Sequence, residues 1–332
     1  GYDTLELMPR GRRIAEILHR HLPQDYLAAS EILLTSLGPI LTQTDRNGMA
    51  PFLYLSHVFF VAQYGLDHFE RSMGLQYELT QRFTAEFSIR PFLVRYPTQT
   101  LARLKDWTRD PSPHVRRLVS EGTRPRLPWA PRLRAFQENP RPVLALLELL
   151  KDDPDLYVRR SVANNLNDIG KDHPSVLADT MQRWATRATP EREWVIRHAL
   201  RSAVRRGEPD ALQILGVGHA PKVTIRHATL SPARVHIGNA VTIRFTLAST
   251  ATHTQRVRVD AHVHFVKANG QSRPKVFTLK TIDLPGKAQA QIGKVISLRT
   301  MTTRKPYPGR HRVDVAINGR IHPLGTFDVV AM

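Results

Sequence analysis

The chain has 332 residues, with 48 Lys and Arg against 29 Asp and Glu, a net charge of +19, 41% apolar residues and no cysteine. That length suggests about two domains with real cores. The missing cysteine excludes disulfides, a thiol nucleophile and zinc-finger-type sites; it is compatible with the cytoplasm, the compartment expected. The longest apolar run, Pro51 to Gly65, is interrupted by Ser56, His57 and Gln63. It reads as a buried helix too short for a membrane span, and no membrane partner is expected. The chain opens at Gly1 in mid-pattern, so native residues are expected upstream; no signal peptide is visible.

From Thr4 to about Gly216 the periodicity predicts helices. Leu5–Leu22 is followed by Tyr26–Leu37, which Pro23-Gln24-Asp25 opens, and by an Asn47-Gly48 turn. Phe52–Ala62, Asp67–Phe83, Ile89–Tyr96 and Thr98–Trp107 come next. Asp110-Pro111-Ser112-Pro113 then ends one helix and launches another. The design returns as Val143–Lys151 before Asp152-Asp153-Pro154-Asp155. Val176–Arg187 follows His173-Pro174-Ser175, and Ala188-Thr189-Pro190 leads into the last helix.

Three helix starts resemble one another: His114-Val115-Arg116-Arg117-Leu118, Tyr157-Val158-Arg159-Arg160-Ser161 and Trp194-Val195-Ile196-Arg197-His198. Aligned on valine, they recur at 43 and 37 residues. Such spacing marks HEAT-like hairpins stacked into a solenoid. Steps of four place Arg117 with Glu121, Arg160 with Asn164 and Asp168, and Arg197 with Arg201 and Arg205 on one helix side. Val158, Val162, Leu166 and Ile169 form the opposite, core stripe. The expectation is a curved stack with an arginine-rich face holding isolated carboxylates.

At Gly216–Ala220 the period changes to two. Lys222–Arg226, Val241–Leu247 and Val257–Phe265 read as strands. About seven such runs, separated by Gly238-Asn239, Asn269-Gly270, Pro285-Gly286 and Asn318-Gly319, match an immunoglobulin-like sandwich, with Tyr307 placed as its tyrosine corner. The expected architecture is therefore multidomain α + β: a HEAT-like α-solenoid over 1–217, then an Ig-like β-sandwich over 218–332. From His219 onward, eighteen Lys and Arg face four Asp and no Glu, a charge of +14. Such a domain repels itself unless it meets a polyanion, and nucleic acid is the partner expected.

The segment Val115 to Trp129, the segment Val158 to Asp168 with Lys171-Asp172-His173-Pro174 after it, and Trp194 to Arg201 resemble signatures of AlkC-type DNA glycosylases. The resemblance covers most of Gly1–Gly216; a shortened N-terminus is its main departure. It implies a HEAT-like repeat enzyme that removes cationic methylated bases such as 3-methyladenine from double-stranded DNA during base excision repair. It also implies an Ig-like domain that grips DNA and contact with the lesion without base flipping; no phosphate-cradling glycine loop appears, and no cofactor is expected. On this resemblance Glu86, Glu121 and Asp168 match active-site acids. Trp129 matches an aromatic wall, with Phe87 beside it, and Arg117 lies near the DNA backbone. Glu121 and Asp168 also emerge from the repeat register; Glu86 does not. Arg160, Arg197 and Arg201 are the further DNA-binding candidates, and a monomer is expected.

Cleaving an N-glycosidic bond creates an oxocarbenium-like sugar, which a fixed carboxylate stabilises while another orients water. Each residue also has a structural alternative. Glu121 could pair with Arg117 at i+4, and Asp168 with Arg160 or Lys171. Asn164, Asn165 and Asn167 could bond loop backbone, and Trp129 could anchor its loop in the core. Trp107, Trp184 and Trp194 read as core. Fifteen histidines include no His-Glu-x-x-His, and no metal is expected. A non-catalytic nucleic-acid scaffold and a solenoid for acidic protein partners stay open beside the glycosylase.

Overall fold

The structure, a computed structural model, describes residues 2–45, 48–218, 220–301 and 305–331. Asn47 of the expected Asn47-Gly48 turn lies outside them. Two compact units divide the chain, Gly1–Leu200 and Arg201–Met332.

The first unit is helical: α1 (Leu7–His21), α2 (Tyr26–Thr35), α3 (Leu55–Tyr64), α4 (Phe69–Thr80), α5 (Ile89–Arg95), α6 (Pro97–Trp107), α7 (Pro113–Gly122), α8 (Arg134–Glu138), α9 (Arg141–Leu150), α10 (Leu156–Asp172), α11 (Pro174–Ala185) and α12 (Pro190–Ala199). Proline opens α6, α7, α11 and α12, where its missing N–H would have had no helical partner. The three helices that begin with the repeated motif form one row, α10 packing on both α7 and α12. Their apolar stripes are buried: Val115, Leu118 and Val119; Val158, Val162, Leu166 and Ile169; Val195, Ile196 and Ala199.

The repeat has a physical basis in its Asp-Pro turns. Asp110 Oδ1 accepts from the Ser112 amide at 2.8 Å, and Asp153 Oδ1 from the Asp155 amide at 2.9 Å. Arg116 Nη1 donates to the carbonyls of Asp110 and Pro111 at 2.8 and 3.0 Å; Arg159 Nη1 donates to those of Asp153 and Pro154 at 2.7 Å each. The arginine directly after the valine therefore fastens the first two of these helix starts. Arg116 also ties its repeat to the next, through Asp153 at 2.7 and 3.1 Å and Asp155 at 2.7 Å. The third copy has buried Ile196 there instead.

The expected Arg197–Arg201–Arg205 face is corrected. The Leu200 amide still bonds the Ile196 carbonyl at 3.0 Å, and α12 ends there. Arg201 begins a separate helix, α13 (Arg201–Arg206). With α14 (Pro209–Ile214), it belongs to the second unit, although both segments had been expected within 1–217. In that unit Gly207, at φ 75°, meets Gly319, at φ 82°. A Cβ on either would stand 2.8 Å from the other's Cα, so only glycine allows this approach.

The second unit contains β1 (Val223–Ser231), β2 (Arg234–His236), β3 (Ala240–Ser249), β4 (Gln255–Val266), β5 (Ser272–Leu284), β6 (Gln289–Ser297), β7 (Gly309–Ile317) and β8 (Arg320–Val330). One sheet runs β1-β3-β6 and the other β2-β8-β7-β4-β5. All neighbours are antiparallel except β2 and β8. Inward residues such as Ile243, Phe245, Val259, Val263, Val315 and Phe327 fill the sandwich. Asn318 and Gly319, at φ 47° and 82°, make the tight β7–β8 hairpin that the Asn-Gly pair predicts. The Tyr307 carbonyl pairs with His311 Nε2 at 3.0 Å. Among the described residues, no helix is long and apolar enough to cross a membrane.

Candidate active site

Four of the predicted residues meet in one ion network of the helical unit. Glu86 sits in the turn between α4 and α5. Arg117, one helical turn before Glu121, lies on α7, and Asp168 is near the end of α10. Arg117 Nη1 lies 2.8 Å from Glu86 Oε2, and its Nη2 lies 3.7 Å from Glu121 Oε1. Thr84 Oγ1 also donates to Glu86 at 2.9 Å. Arg117 covers the Tyr157 ring at 5.2 Å.

The centre of the network is Arg124, in the loop after α7. Its Nη1 donates to Glu121 Oε1 at 2.6 Å and its Nε to Asp168 Oδ2 at 2.9 Å. Ser161 Oγ donates to Glu121 Oε2 at 2.6 Å, and Lys171 Nζ to Asp168 Oδ1 at 2.8 Å. Charges thus alternate from Glu86 through Arg117, Glu121, Arg124 and Asp168 to Lys171. Glu121 is 5% and Asp168 1% exposed. Burying such charges is tolerable only because each is paired and hydrogen-bonded.

Burial opposes ionisation of Glu121, yet Arg117, Arg124 and the Ser161 hydrogen bond outweigh it and hold the carboxyl below its ordinary range. Burial also opposes charge on Arg117, but Glu86 and Glu121 raise its guanidinium above the usual value. Burial likewise raises the Tyr157 hydroxyl against the pull of Arg117. A carboxyl depressed in the folded state adds stability above its unfolded pKa and loses it as pH falls through the folded value. Thermal melts should therefore show the helical unit weakening below the usual carboxylate range. Glu121→Gln should remove part of that acid limb; an unchanged limb would contradict the depressed value.

Trp129 is 70% exposed, which rules out its alternative as a core anchor. Its φ of 62° is a left-handed conformation costing about 1–2 kcal/mol for a residue with a Cβ. The loop beneath it is fastened through the Leu133 amide to the Pro125 carbonyl at 3.2 Å and through Arg126 to Asp172. Phe87 stacks on Phe59 at 6.3 Å. Arg160 and Arg197 are exposed, Arg197 pairing with Glu193 at 3.0 Å, and Arg201 lies in the other unit. Arg117, expected near a DNA backbone, turns its guanidinium into carboxylates.

Asp168 therefore pairs with Arg124 and Lys171, and Asn165 bonds the Ser120 carbonyl of the neighbouring helix at 2.8 Å. Trp107 and Trp184 are buried, whereas Trp194 is partly exposed and stacks on His198 at 4.8 Å. Sequence reasoning missed Arg124, Ser161 and Tyr157. Arg124 lay three residues after Glu121, a spacing that brings helical side chains together.

Residues 224–331 match the family described as the C-terminal Ig-like domain of the uncharacterised protein YhaZ. The chain is 37% identical to the uncharacterized protein YhaZ of Bacillus subtilis (strain 168) over 328 residues, which is 99% of this chain and 88% of that protein. It is also similar to the solved structure of Pseudomonas fluorescens alkylpurine DNA glycosylase AlkC bound to DNA containing an abasic site analog. Identity is 41%, coverage 98% of this chain and 89% of that one, and the TM-score 0.89.

Proposed function

The chain belongs to the AlkC family of DNA glycosylases, and from that premise we propose that it hydrolyses the N-glycosidic bond of cationic alkylated bases in double-stranded DNA. The substrates proposed are 3-methyladenine and 3-methylcytosine. The observation that carries the reading is the buried Glu121–Arg124–Asp168 array, joined to the loop that presents Trp129.

In the proposed reaction the electron pair of the glycosidic bond passes to the base and neutralises its positive charge. The sugar becomes an oxocarbenium ion. A carboxylate held ionised stabilises that cation, and a second orients water toward C1′ and takes its proton. We assign these roles to Glu121 and Asp168, with Glu86 at the edge of the same network. Lys171 covers Asp168 through a side chain that is 39% exposed; DNA phosphate would draw it aside. Trp129 offers a face for a cationic base. Its open position supports contact without a flipped-base pocket. Hydrolysis needs water and no cofactor, and the enzyme is proposed to act as a cytoplasmic monomer.

A lesion panel tests the chemistry. Release should favour 3-methyladenine over uracil, hypoxanthine and 8-oxoguanine, and leave an abasic site without strand nicking. Efficient uracil release would overturn the cationic-substrate reading.

The basic sandwich is proposed to supply DNA affinity rather than chemistry. A protein ending at Leu200 should bind duplex DNA more weakly than the full chain, with a shallower dependence on salt. Each lost phosphate contact removes about 0.9 from the log–log slope. Equal affinity with an equal slope would count against this role.

A further inference from the structure

Arg90 is buried at 4% exposure on α5, and its hydrogen bonds run to main-chain oxygens. Nη1 donates to the carbonyls of Gly122 at 3.1 Å and Arg124 at 2.8 Å, and Nη2 to that of Pro131 at 2.5 Å. These carbonyls lie on both sides of Trp129 in the chain. The approach is close: a Cβ on Gly122 would meet Ile89 Cγ2 at 2.5 Å. Arg90 Nε is buried without a hydrogen-bond partner, and burial lowers the guanidinium pKa to about 10. An apolar side chain would fill this space without desolvating a charge. What it could not do is grip three carbonyls at once, which the rigid guanidinium fork can.

The loop needs such a grip. Trp129 holds a left-handed backbone conformation while 70% exposed, so its own side chain has little packing to fix it. Strain of this kind persists only where the surroundings over-determine it. From this geometry we infer that Arg90 is a positioning residue: it clamps the Gly122–Pro131 loop and so sets Trp129 for the reaction. The inference rests on the glycosylase reading for its catalytic consequence, but not for the clamp itself.

The test uses full-length Arg90→Met and Arg90→Lys. Lysine keeps the charge and most of the packing but has no fork to span the three carbonyls. Loss of placement by about 1 Å can cost about 10²-fold in rate, and single-turnover release of 3-methyladenine should fall by that order in Arg90→Met. Affinity for undamaged DNA should hold, since the basic sandwich is untouched. In a Trp129→Ala background the same substitution should cost far less, because a residue acting through Trp129 is not additive with it. Brief trypsin treatment gives a readout independent of activity. Cutting after Arg126 and Arg132 should rise severalfold in both variants, as proteolysis follows the opened population. Parental resistance at both bonds, or the full rate loss on top of Trp129→Ala, would overturn the clamp. If the parental protein released no methylated base, the proposed reaction would fail, and the tryptic pattern would still decide the clamp.

Discussion

Glu121→Gln and Asp168→Asn are each expected to lower single-turnover excision of 3-methyladenine by about 10²–10³-fold, the usual loss when a preorganised charge stabiliser is removed. Undamaged DNA should bind as before or more tightly, because a negative charge that repels phosphate is gone. The two carboxylates are suited to this work by their surroundings. Arg124 links them at 2.6 and 2.9 Å, and Ser161 and Lys171 hold their remaining oxygens. A fixed, ionised carboxylate needs little rearrangement when the sugar cation forms. Both substitutions keep the shape but replace one accepting oxygen by an amide donor and remove a buried counter-charge, so each variant should still melt cooperatively at a lowered temperature, and the rates are compared below that transition. Parental rates in both variants would make these residues structural ion-pair partners.

Arg124→Met should have the largest effect on stability. It removes the guanidinium standing between two carboxylates that are 5% and 1% exposed. Breaking a buried pair from one side costs about 3–5 kcal/mol, since the partner charges stay buried. At about 2–4 °C per kcal/mol for a unit of this size, the helical transition should fall by roughly 6–20 °C. The pH dependence identifies the cause. Two like charges left together raise one carboxyl pKa, and protonation then relieves the repulsion. The deficit of Arg124→Met should therefore shrink on acidification, whereas the parental unit weakens. A deficit independent of pH would point to lost packing instead.

The architecture was legible because its signals are local. Asp-Pro turns, valine spacing and the switch to period two each leave a mark on neighbouring residues. The three-residue β2 was too short to show a period, and neither a proline nor a glycine marks the break after Ala199. Glu121 and Asp168 were readable from the repeat register, but their link was not. Arg124 and Asp168 are 44 positions apart, and only packing of α7 on α10 joins them. The register also treated the arginines two places after each valine as one class. The structure separates them: Arg117 is enclosed by acids, while Arg160 and Arg197 face solvent. Arg116 and Arg159, which fasten their helix starts, lie within the repeated motifs, yet their carbonyl partners lie back across a turn where no periodicity points.

Base hydrolysis by this chain is tested most directly by the time course of free 3-methyladenine released from methylated duplex DNA by the purified full chain, alongside its Glu121→Gln/Asp168→Asn double variant. The parental protein should release the base into solution with first-order kinetics and leave intact strands bearing abasic sites, while the double variant should stay near the spontaneous rate. DNA binding by the parental protein with release no faster than spontaneous loss would contradict hydrolysis and leave a nucleic-acid-binding scaffold.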